Sequence, residues 1–312
     1  NISNISNISN NTISPLHKNI CSYQKAFAEL IEKGIIPKPE MIIAVRYPCN
    51  DAVMLCEYLH EVYHIPIHYI SASVYSLEKD FENAYSYLKK SFNQKQGIRE
   101  VISLVNKAGD LKSKIDDYRI NYPSIVPSDD FLKIFTIEND FGNNTAVEVL
   151  EEVLYCIKNK IENYLSSDRL DSLRIFWMGL IPLYDNSILS KAEKLMPCKF
   201  IYEEMWMFGG YKLRHQSFFE DLSEKIRQSL FFDIDKRIHK IDTIIQKTKA
   251  DIVINFSQKN CSFLPKTVGA FQKYFNEKGV PFYNIGCDVV NGKFDINILL
   301  DVIQKHIDGD KS

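Results

Sequence analysis

The segment formed by residues 251–265, DIVINFSQKNCSFLP, places a cysteine directly after a short strand. Residues 251–256 are mostly apolar and β-branched, a pattern typical of a parallel strand that is buried on both faces. The polar loop that follows contains Cys261, and an amphipathic helix is predicted after it. Because open α/β sheets bind their ligands at the carboxyl ends of the strands, Cys261 lies where a functional group is expected.

A second segment, at residues 41–50, repeats this arrangement near the start of the chain. The sequence MIIAV predicts a strand, RYPCN predicts a loop, and a helix is expected from residue 51. Cys49 therefore takes the position that Cys261 takes in the later unit. For either thiol alone, an inert role is the simpler interpretation. Two thiols at equivalent places in two strand–helix units nevertheless indicate a shared site.

Cys21 lies at the amino end of another helix, which the apolar periodicity predicts for residues 22–32. Gly34 is expected to end this helix. A thiol at the amino end meets the positive pole of the helix dipole, which favours a thiolate and hence metal binding or nucleophilic chemistry. For Cys21 alone, a helix cap without chemical function is the simpler interpretation.

Strands and helices alternate over much of the chain, which predicts an α/β fold with parallel sheets. The expected architecture is two lobes of Rossmann or flavodoxin type, joined by a helical segment without strands. The predicted divisions are a low-complexity tail with an Asn-Ile-Ser repeat at residues 1–16, a first and incomplete α/β lobe at 17–76, a helical connector at 77–170 and a second α/β lobe at 171–312.

Charge and hydropathy argue against several classes of function. The 312 residues include 38 basic and 40 acidic side chains scattered along the chain, so no basic patch for nucleic acid or for an anionic membrane is predicted. No apolar run approaches the roughly 20 residues that a membrane-spanning helix needs. Because no secretory leader is recognised, the sequence predicts a soluble, cytoplasmic protein. The glycine-rich loops of the usual nucleotide sites are not found in the sequence.

The seven cysteines are an odd number in a chain predicted to be cytoplasmic, which argues against a disulfide framework. Cys56, Cys156 and Cys198 are interpreted as small core residues. Thiolates spread over separate strand–helix units could hold an iron–sulfur cluster or zinc, but the close Cys-x-x-Cys pairs that would indicate either are absent from the sequence. The residues alone therefore leave open a cluster, a zinc site, a cysteine nucleophile and inert thiols.

Four segments together resemble the benzoyl-CoA reductase/2-hydroxyacyl-CoA dehydratase family, and specifically its iron–sulfur subunits of the D or beta type. Their order and spacing carry the resemblance, which runs from Cys21 nearly to the carboxyl end. The segments are CSYQKAFAEL at 21–30 with Gly34 after it, IIAVRYPCN at 42–50, RIFWMGL at 174–180, and ADIVIN to KNC at 250–261 continuing into GVPFY at 279–283.

The resemblance implies that Cys21 and Cys261 are ligands of a 4Fe-4S cluster, with Cys49 as a nearby thiol that can substitute as a ligand. The preceding ligand segment of the family has no counterpart before Cys21, which implies a chain shortened at its amino terminus. Polar residues beside the thiols are candidate hydrogen-bond donors to the cluster. Helix capping and loop solvation are the simpler roles for at least two of them. The candidates are Ser22, Asn50, Asn260 and Ser262.

By the same resemblance, the chain is a subunit of a lyase that removes water from a 2-hydroxyacyl-CoA. The family's ATP-dependent iron–sulfur activator supplies one electron, and the hydroxyl group leaves from a ketyl radical. The implied partners are a paralogous dehydratase subunit in a heterodimer, the activator and the acyl-CoA substrate. Two alternatives stay open, a non-catalytic electron-relay subunit of such a complex and a related CoA-ester reductase. No catalytic residue is predicted.

Overall fold

The computed structural model shows two parallel sheets that pack against helices. The predicted α/β fold with parallel sheets is confirmed. The predicted low-complexity tail lies outside the described residues, apart from residue 16. The described residues are 16, 19–71, 73, 75–92, 97–122, 125–161, 172–182, 185, 187–207, 211–290 and 294–309.

The first sheet is small and lies in the part of the chain that holds the first two site cysteines. Strand β1 (Ile42–Val45) pairs in parallel with β2 (Ile67–Ile70). Helices α1 (Ser22–Glu32) and α2 (Asn50–Tyr63) share one apolar core with these strands. Gly34 has a φ of +69° just past α1, the left-handed conformation that commonly ends a helix, so this part of the prediction is confirmed.

The second sheet contains four parallel strands. They are β3 (Leu173–Gly179), β4 (Cys198–Glu203), β5 (Ile252–Gln258) and β6 (Phe282–Cys287). Their order in the sheet is β4-β3-β5-β6, so β5 has a neighbour on each side. Every residue of β5 is buried, as the apolar run before Cys261 predicts for an interior parallel strand.

Helices cover both faces of the second sheet and form two apolar cores with it. Ala26 of α1 belongs to one of these cores, so the first lobe packs directly on the second. Among the described helices, none combines the length and apolar character that crossing a bilayer requires. One face is covered by α4 (Ile98–Asn121), α6 (Asn144–Ile161), α9 (Ile234–Thr248) and α10 (Leu264–Glu277), and the other by α7 (Ile188–Leu195) and α11 (Ile296–Gly309).

Shorter helical segments complete the structure. They are α3 (Leu77–Ser91), α5 (Ser128–Ile134), α8 (Phe218–Arg227) and two 3-10 helices at Phe135–Asp140 and Glu204–Met207. Helix α3 packs against β2 and against α8, with Leu77 and Ala84 buried in this contact. The start of the predicted connector therefore contacts both lobes.

The other helices of the predicted connector pack into the second lobe. Ile115 of α4 and Leu150 of α6 share one apolar core with Phe176 and Val253 of the second sheet. Residues 162–171, where the connector is predicted to end, lie outside the described residues. The domain boundaries stay a prediction, although the packing joins α4 and α6 to the second sheet.

Helix α5 is only 7 residues long. The hydroxyl of Ser128 is buried and donates a hydrogen bond of 2.9 Å to the backbone oxygen of Phe200. Phe131 packs edge-on against Trp206, with 5.0 Å between the ring centroids. A helix this short has little stability of its own, so contacts that are distant in sequence stabilise it. Local sequence does not reveal such contacts.

Gly179 ends β3 in a conformation that other residues rarely adopt. Its φ is +77°, and a Cβ atom at this position would overlap the backbone oxygen of Phe256. We expect Gly179→Ala to lower the free energy of unfolding by at least about 2 kcal/mol, because a left-handed alanine costs roughly 1–2 kcal/mol before the overlap is relieved. Urea denaturation of the purified protein measures this change.

Gly269→Ala provides the control for this prediction. Gly269 lies inside α10, where an added Cβ atom meets no other atom within 4 Å. Alanine should therefore stabilise the protein by about 0.5–1 kcal/mol, because glycine is the poorer residue in a helix interior. Equal urea midpoints for the two variants would contradict the account of Gly179.

Candidate functional site

Each of the three predicted site cysteines lies at or just before the amino end of a helix. Cys21 immediately precedes α1, Cys49 immediately precedes α2, and Cys261 lies three residues before the first residue of α10. The sulfur of Cys261 accepts a hydrogen bond of 3.3 Å from the backbone N–H of Leu264. Helix amino ends have unpaired N–H groups and a positive partial charge, which act in favour of a negatively charged group nearby.

The Cys21 and Cys49 thiols lie close enough to other thiols for those charges to affect their ionisation. Burial, with smaller contributions from negative charge on Cys261 and on Cys49, raises the pKa of the Cys21 thiol to about 11. The pKa of Cys49 is also raised, chiefly by burial and to a lesser extent by the charges of Asp51 and Cys261. The structure therefore brings together thiols from positions 21, 49 and 261, which are far apart along the chain.

The predicted effect of the helix dipole on Cys21 is present, but burial outweighs it. The largest contribution is the loss of water around the sulfur, which raises the pKa, whereas the backbone N–H groups of Tyr23 and Gln24 lower it. The Cys21 residue is only 8% exposed. The role of Cys21 as a metal ligand or nucleophile stays a prediction.

Slow alkylation of Cys21 follows from its raised pKa. At pH 8, a thiol with a pKa of about 11 is only about 0.1% thiolate, and the thiolate is the form that reacts. Cys156 is exposed and provides the control. In the metal-free protein, iodoacetamide should label Cys156 at least about tenfold faster than Cys21, as measured by peptide mass spectrometry. Labelling of Cys21 should accelerate as the pH rises toward 11, and equal rates at pH 8 would contradict the raised pKa.

Of the cysteines interpreted as core residues, Cys198 is buried, Cys56 is half-buried and Cys156 is exposed. The core interpretation is confirmed for Cys198 and wrong for Cys156. The buried stripe of α6 includes Leu154 and Ile157, and Cys156 lies off that stripe. Whether a cysteine in a helix is buried therefore depends on which face of the helix it occupies.

The three thiols are not arranged around the position of a single ion. Within the described part of the chain, no group of three or more His, Cys, Asp or Glu side chains could hold a metal ion. A mononuclear site with the predicted ligands is therefore not formed. The charges of Cys49 and Cys261 contribute to the raised pKa of Cys21, so the three thiols lie near one another.

Asp51 connects the first two cysteines. Its buried carboxylate accepts a hydrogen bond of 2.9 Å from the backbone N–H of Cys21. Asp51 lies in the first turn of α2, two residues after Cys49, where the helix dipole favours a carboxylate. Asp51 therefore fixes the position of Cys21 relative to Cys49 within the first lobe.

Ser22 contacts the second lobe. Its hydroxyl donates a hydrogen bond of 2.6 Å to Asp288 and accepts one of 3.0 Å from the side-chain amide of Gln258. Gln258 is the last residue of β5, and Asp288 directly follows β6. We call Ser22, Gln258 and Asp288 the lobe latch. The other predicted donors are less buried, and their role at the site stays a prediction: Asn50, Asn260 and Ser262.

Aromatic side chains from both lobes meet beside the cysteine loops. Tyr47, from the loop between β1 and α2, packs on Phe232 with 3.9 Å between the ring centroids, and its hydroxyl donates to the backbone oxygen of Phe231. Phe263, which directly precedes α10, contacts Phe231 with 5.6 Å between centroids. These four residues, the aromatic cluster, join the lobes by apolar contact. They also provide a low-dielectric environment next to the loops of Cys49 and Cys261.

A buried ion pair lies next to the aromatic cluster, at the carboxyl end of the second sheet. Arg237 of α9 donates a hydrogen bond of 2.6 Å to Glu204, and each residue is 1% exposed. Glu204 also accepts a hydrogen bond of 2.9 Å from the backbone N–H of Gly179. The guanidinium carbon of Arg237 lies 5.3 Å from the ring centroid of Phe231. The ion pair therefore fixes the end of β3 and the start of α9 against the aromatic cluster.

The fold places two α/β lobes with parallel sheets against each other, with Cys49 and Cys261 in strand-to-helix loops and Cys21 at the amino end of α1. Residues 6–297 match the family model described as 2-hydroxyglutaryl-CoA dehydratase, D-component, and the chain belongs to this family. The predicted relationship to the 2-hydroxyacyl-CoA dehydratases is confirmed. The relationship to benzoyl-CoA reductases and the shortened amino terminus stay predictions. No curated protein is significantly similar to the chain.

Proposed function

We propose that the chain is an iron–sulfur subunit of a 2-hydroxyacyl-CoA dehydratase, a lyase that removes water from a 2-hydroxyacyl-CoA. In this proposal Cys21, Cys49 and Cys261 hold a 4Fe-4S cluster between the lobes. The observation that carries the proposal is the approach of three thiols, each at or near a helix amino end, in a chain of this family.

The donor set suits a polynuclear iron–sulfur cluster better than a single ion. Thiolates are the ligands of such clusters. A single zinc ion requires its thiolate ligands at about 2.3 Å from one point. The three thiols are near one another but not arranged in that way. A cluster binds its thiolates at different irons, so the sulfur atoms of its ligands lie farther apart. The choice of a cluster rather than zinc rests on the family match and on the all-thiol donor set.

Backbone N–H groups near two of the thiols act in favour of the charged, metal-bound state and oppose the effect of burial. The backbone N–H groups of Tyr23 and Gln24 favour a thiolate at Cys21, and that of Leu264 donates to the sulfur of Cys261. Hydrogen bonds to the sulfurs and exclusion of solvent are two of the factors that set the reduction potential of a cluster. The chain would use both to tune the bound cluster.

Cys21, Cys49 and Cys261 would hold the cluster, which when bound would supply the one-electron chemistry for removal of the 2-hydroxyl group from the acyl-CoA. The net reaction forms a 2-enoyl-CoA and water, so the electron is not consumed. Tyr47 and Phe263 of the aromatic cluster would exclude water beside the thiols, where a radical requires protection. Asp51 and the lobe latch would hold the thiols in place.

The proposal includes two protein partners in the cytoplasm. One is a paralogous dehydratase subunit that forms a heterodimer with this chain, and the other is an ATP-dependent iron–sulfur activator that delivers the electron. The family description names the D-component of an enzyme, which supports a system of several subunits.

A non-catalytic electron-relay subunit is the second candidate function. The carboxylates near the thiols favour it, because they are engaged in holding the structure together. Asp51 accepts from the backbone N–H of Cys21, and Asp288 accepts from the Ser22 hydroxyl and from the backbone N–H of Val290. Neither is placed as a free base for the proton that leaves C3. The base would then belong to the partner subunit.

Anaerobic coexpression with the paralogous subunit and the activator tests the proposal. With ATP, a reductant and a 2-hydroxyacyl-CoA, we expect formation of 2-enoyl-CoA that depends on this chain, measured by liquid chromatography. Calorimetric binding of the acyl-CoA to this subunit alone would favour a catalytic role, and its absence would favour electron relay. Reduction of an unsaturated CoA ester instead would identify a reductase. Turnover and iron content that are the same without this chain would contradict the proposal.

A further inference from the structure

Gln258 is a polar residue at a fully buried position at the end of β5, with 1% of its surface exposed. Its side-chain nitrogen donates to the hydroxyl of Ser22 at 3.0 Å and to the backbone oxygen of Lys259 at 2.8 Å. Its side-chain oxygen accepts from the backbone N–H of Val289 at 2.6 Å. The amide therefore has partners at the start of α1, in its own loop and after β6. A buried amide is stable only when such partners satisfy it.

Ser22 and Asp288 extend this connection between the lobes. Ser22 is 4% exposed and donates to a carboxylate oxygen of Asp288 at 2.6 Å. The same oxygen accepts from the backbone N–H of Val290 at 2.8 Å. Hydrogen bonds that are linked in a buried environment strengthen one another. The start of α1 is therefore fixed relative to the ends of β5 and β6.

The residues of the lobe latch are close in sequence to two of the thiols. Ser22 directly follows Cys21, and Gln258 begins the tight loop to Cys261, whose N–H donates to the backbone oxygen of Gln258 at 3.3 Å. We infer that the lobe latch sets the separation between the sulfurs of Cys21 and Cys261, with Gln258 as its positioning residue. The idea that a cluster uses this separation rests on the proposed function. The separation itself exists in the metal-free protein and can be measured there.

Cross-linking with dibromobimane, a short reagent that joins two thiols, tests this separation in the metal-free protein. The product between Cys21 and Cys261 reports on the two lobes. The product between Cys21 and Cys49 is the internal control, because Asp51 connects that pair within the first lobe. Both products contain Cys21, so the slow reaction of this thiol cancels in their ratio. Peptide mass spectrometry quantifies the two products.

Gln258→Met removes the amide and keeps a side chain of similar length. We expect the ratio of the Cys21–Cys261 product to the Cys21–Cys49 product to fall about fivefold, the factor that corresponds to one net hydrogen bond of about 1 kcal/mol. Ser22→Ala removes only a hydroxyl group and should lower the ratio in the same direction. Asp288→Asn keeps an accepting oxygen and should leave the ratio within about twofold of the wild type.

An unchanged ratio in both Gln258→Met and Ser22→Ala, in proteins with wild-type circular dichroism, would overturn the inference. Loss of both products in Gln258→Met would indicate unfolding, and the ratio in Ser22→Ala then decides. The outcome is separate from that of the proposed function. A lower product ratio in the two variants, together with a wild-type protein that binds no iron, would support the latch and contradict the cluster.

Discussion

Cys261→Ala is expected to abolish iron binding by the anaerobically purified protein. Cys261 is the only one of the three thiols that comes from the second lobe, so its loss leaves two thiols, both in the first lobe. A cluster between the lobes cannot be retained by ligands on one side alone. Iron, acid-labile sulfide and the visible absorbance of the protein should all fall to background.

Cys156→Ala makes the same chemical change at an exposed position on α6 and should leave the iron content at the wild-type level. Cys49→Ala should cause a partial loss, because this thiol is the one that the family resemblance implies as a substitute ligand. Full iron content in Cys261→Ala would contradict its role as a ligand. Equal loss in Cys156→Ala would attribute the effect to general instability.

Arg237→Met is expected to lower the free energy of unfolding by about 3–5 kcal/mol, the usual cost of removing one partner from a buried ion pair. Glu204 would keep its hydrogen bond from the backbone N–H of Gly179 but would lose its buried cation. Phe231 of the aromatic cluster would also lose its contact with the guanidinium. Urea denaturation, followed by circular dichroism, measures the change.

Two further variants test whether the loss of stability comes from the buried ion pair. Lys107→Met removes a cation from a surface pair with Glu151, in which both side chains are about half exposed, and should cost less than about 1 kcal/mol. Arg237→Met combined with Glu204→Gln removes the buried charge and keeps an oxygen for the N–H of Gly179. This double variant should recover part of the lost stability. A cost for Arg237→Met no larger than that for Lys107→Met would contradict the account.

Helix α1 and strand β5 show how far local sequence predicts the fold. Apolar periodicity and Gly34 predict a helix at residues 22–32, and the observed helix is Ser22–Glu32. The strand before Cys261 is predicted correctly at its core but extends to Gln258, two residues beyond the apolar run. A polar residue at the end of a strand usually indicates a loop. Here partners from distant segments satisfy the side chain of Gln258, which keeps it buried.

The contacts around the site depend on strand order and on the packing of the lobes, which a single sequence does not fix. Tyr47 and Phe232 are 185 positions apart and meet only because the lobes are docked. Glu204 follows an apolar strand and resembles the start of a solvated loop, yet Arg237 makes it part of the interior. The sequence thus predicts the cysteines and Ser22 as site residues, whereas Asp51, Gln258 and Asp288 emerge as their hydrogen-bond partners only in the structure.

Iron and acid-labile sulfide analysis of the wild-type protein, purified without air, tests the central claim that three thiols at or near helix amino ends hold one cluster between the lobes. The account predicts a coloured protein with about four irons and about four sulfides per chain. A colourless and iron-free protein, both alone and with its copurified partner, would contradict it.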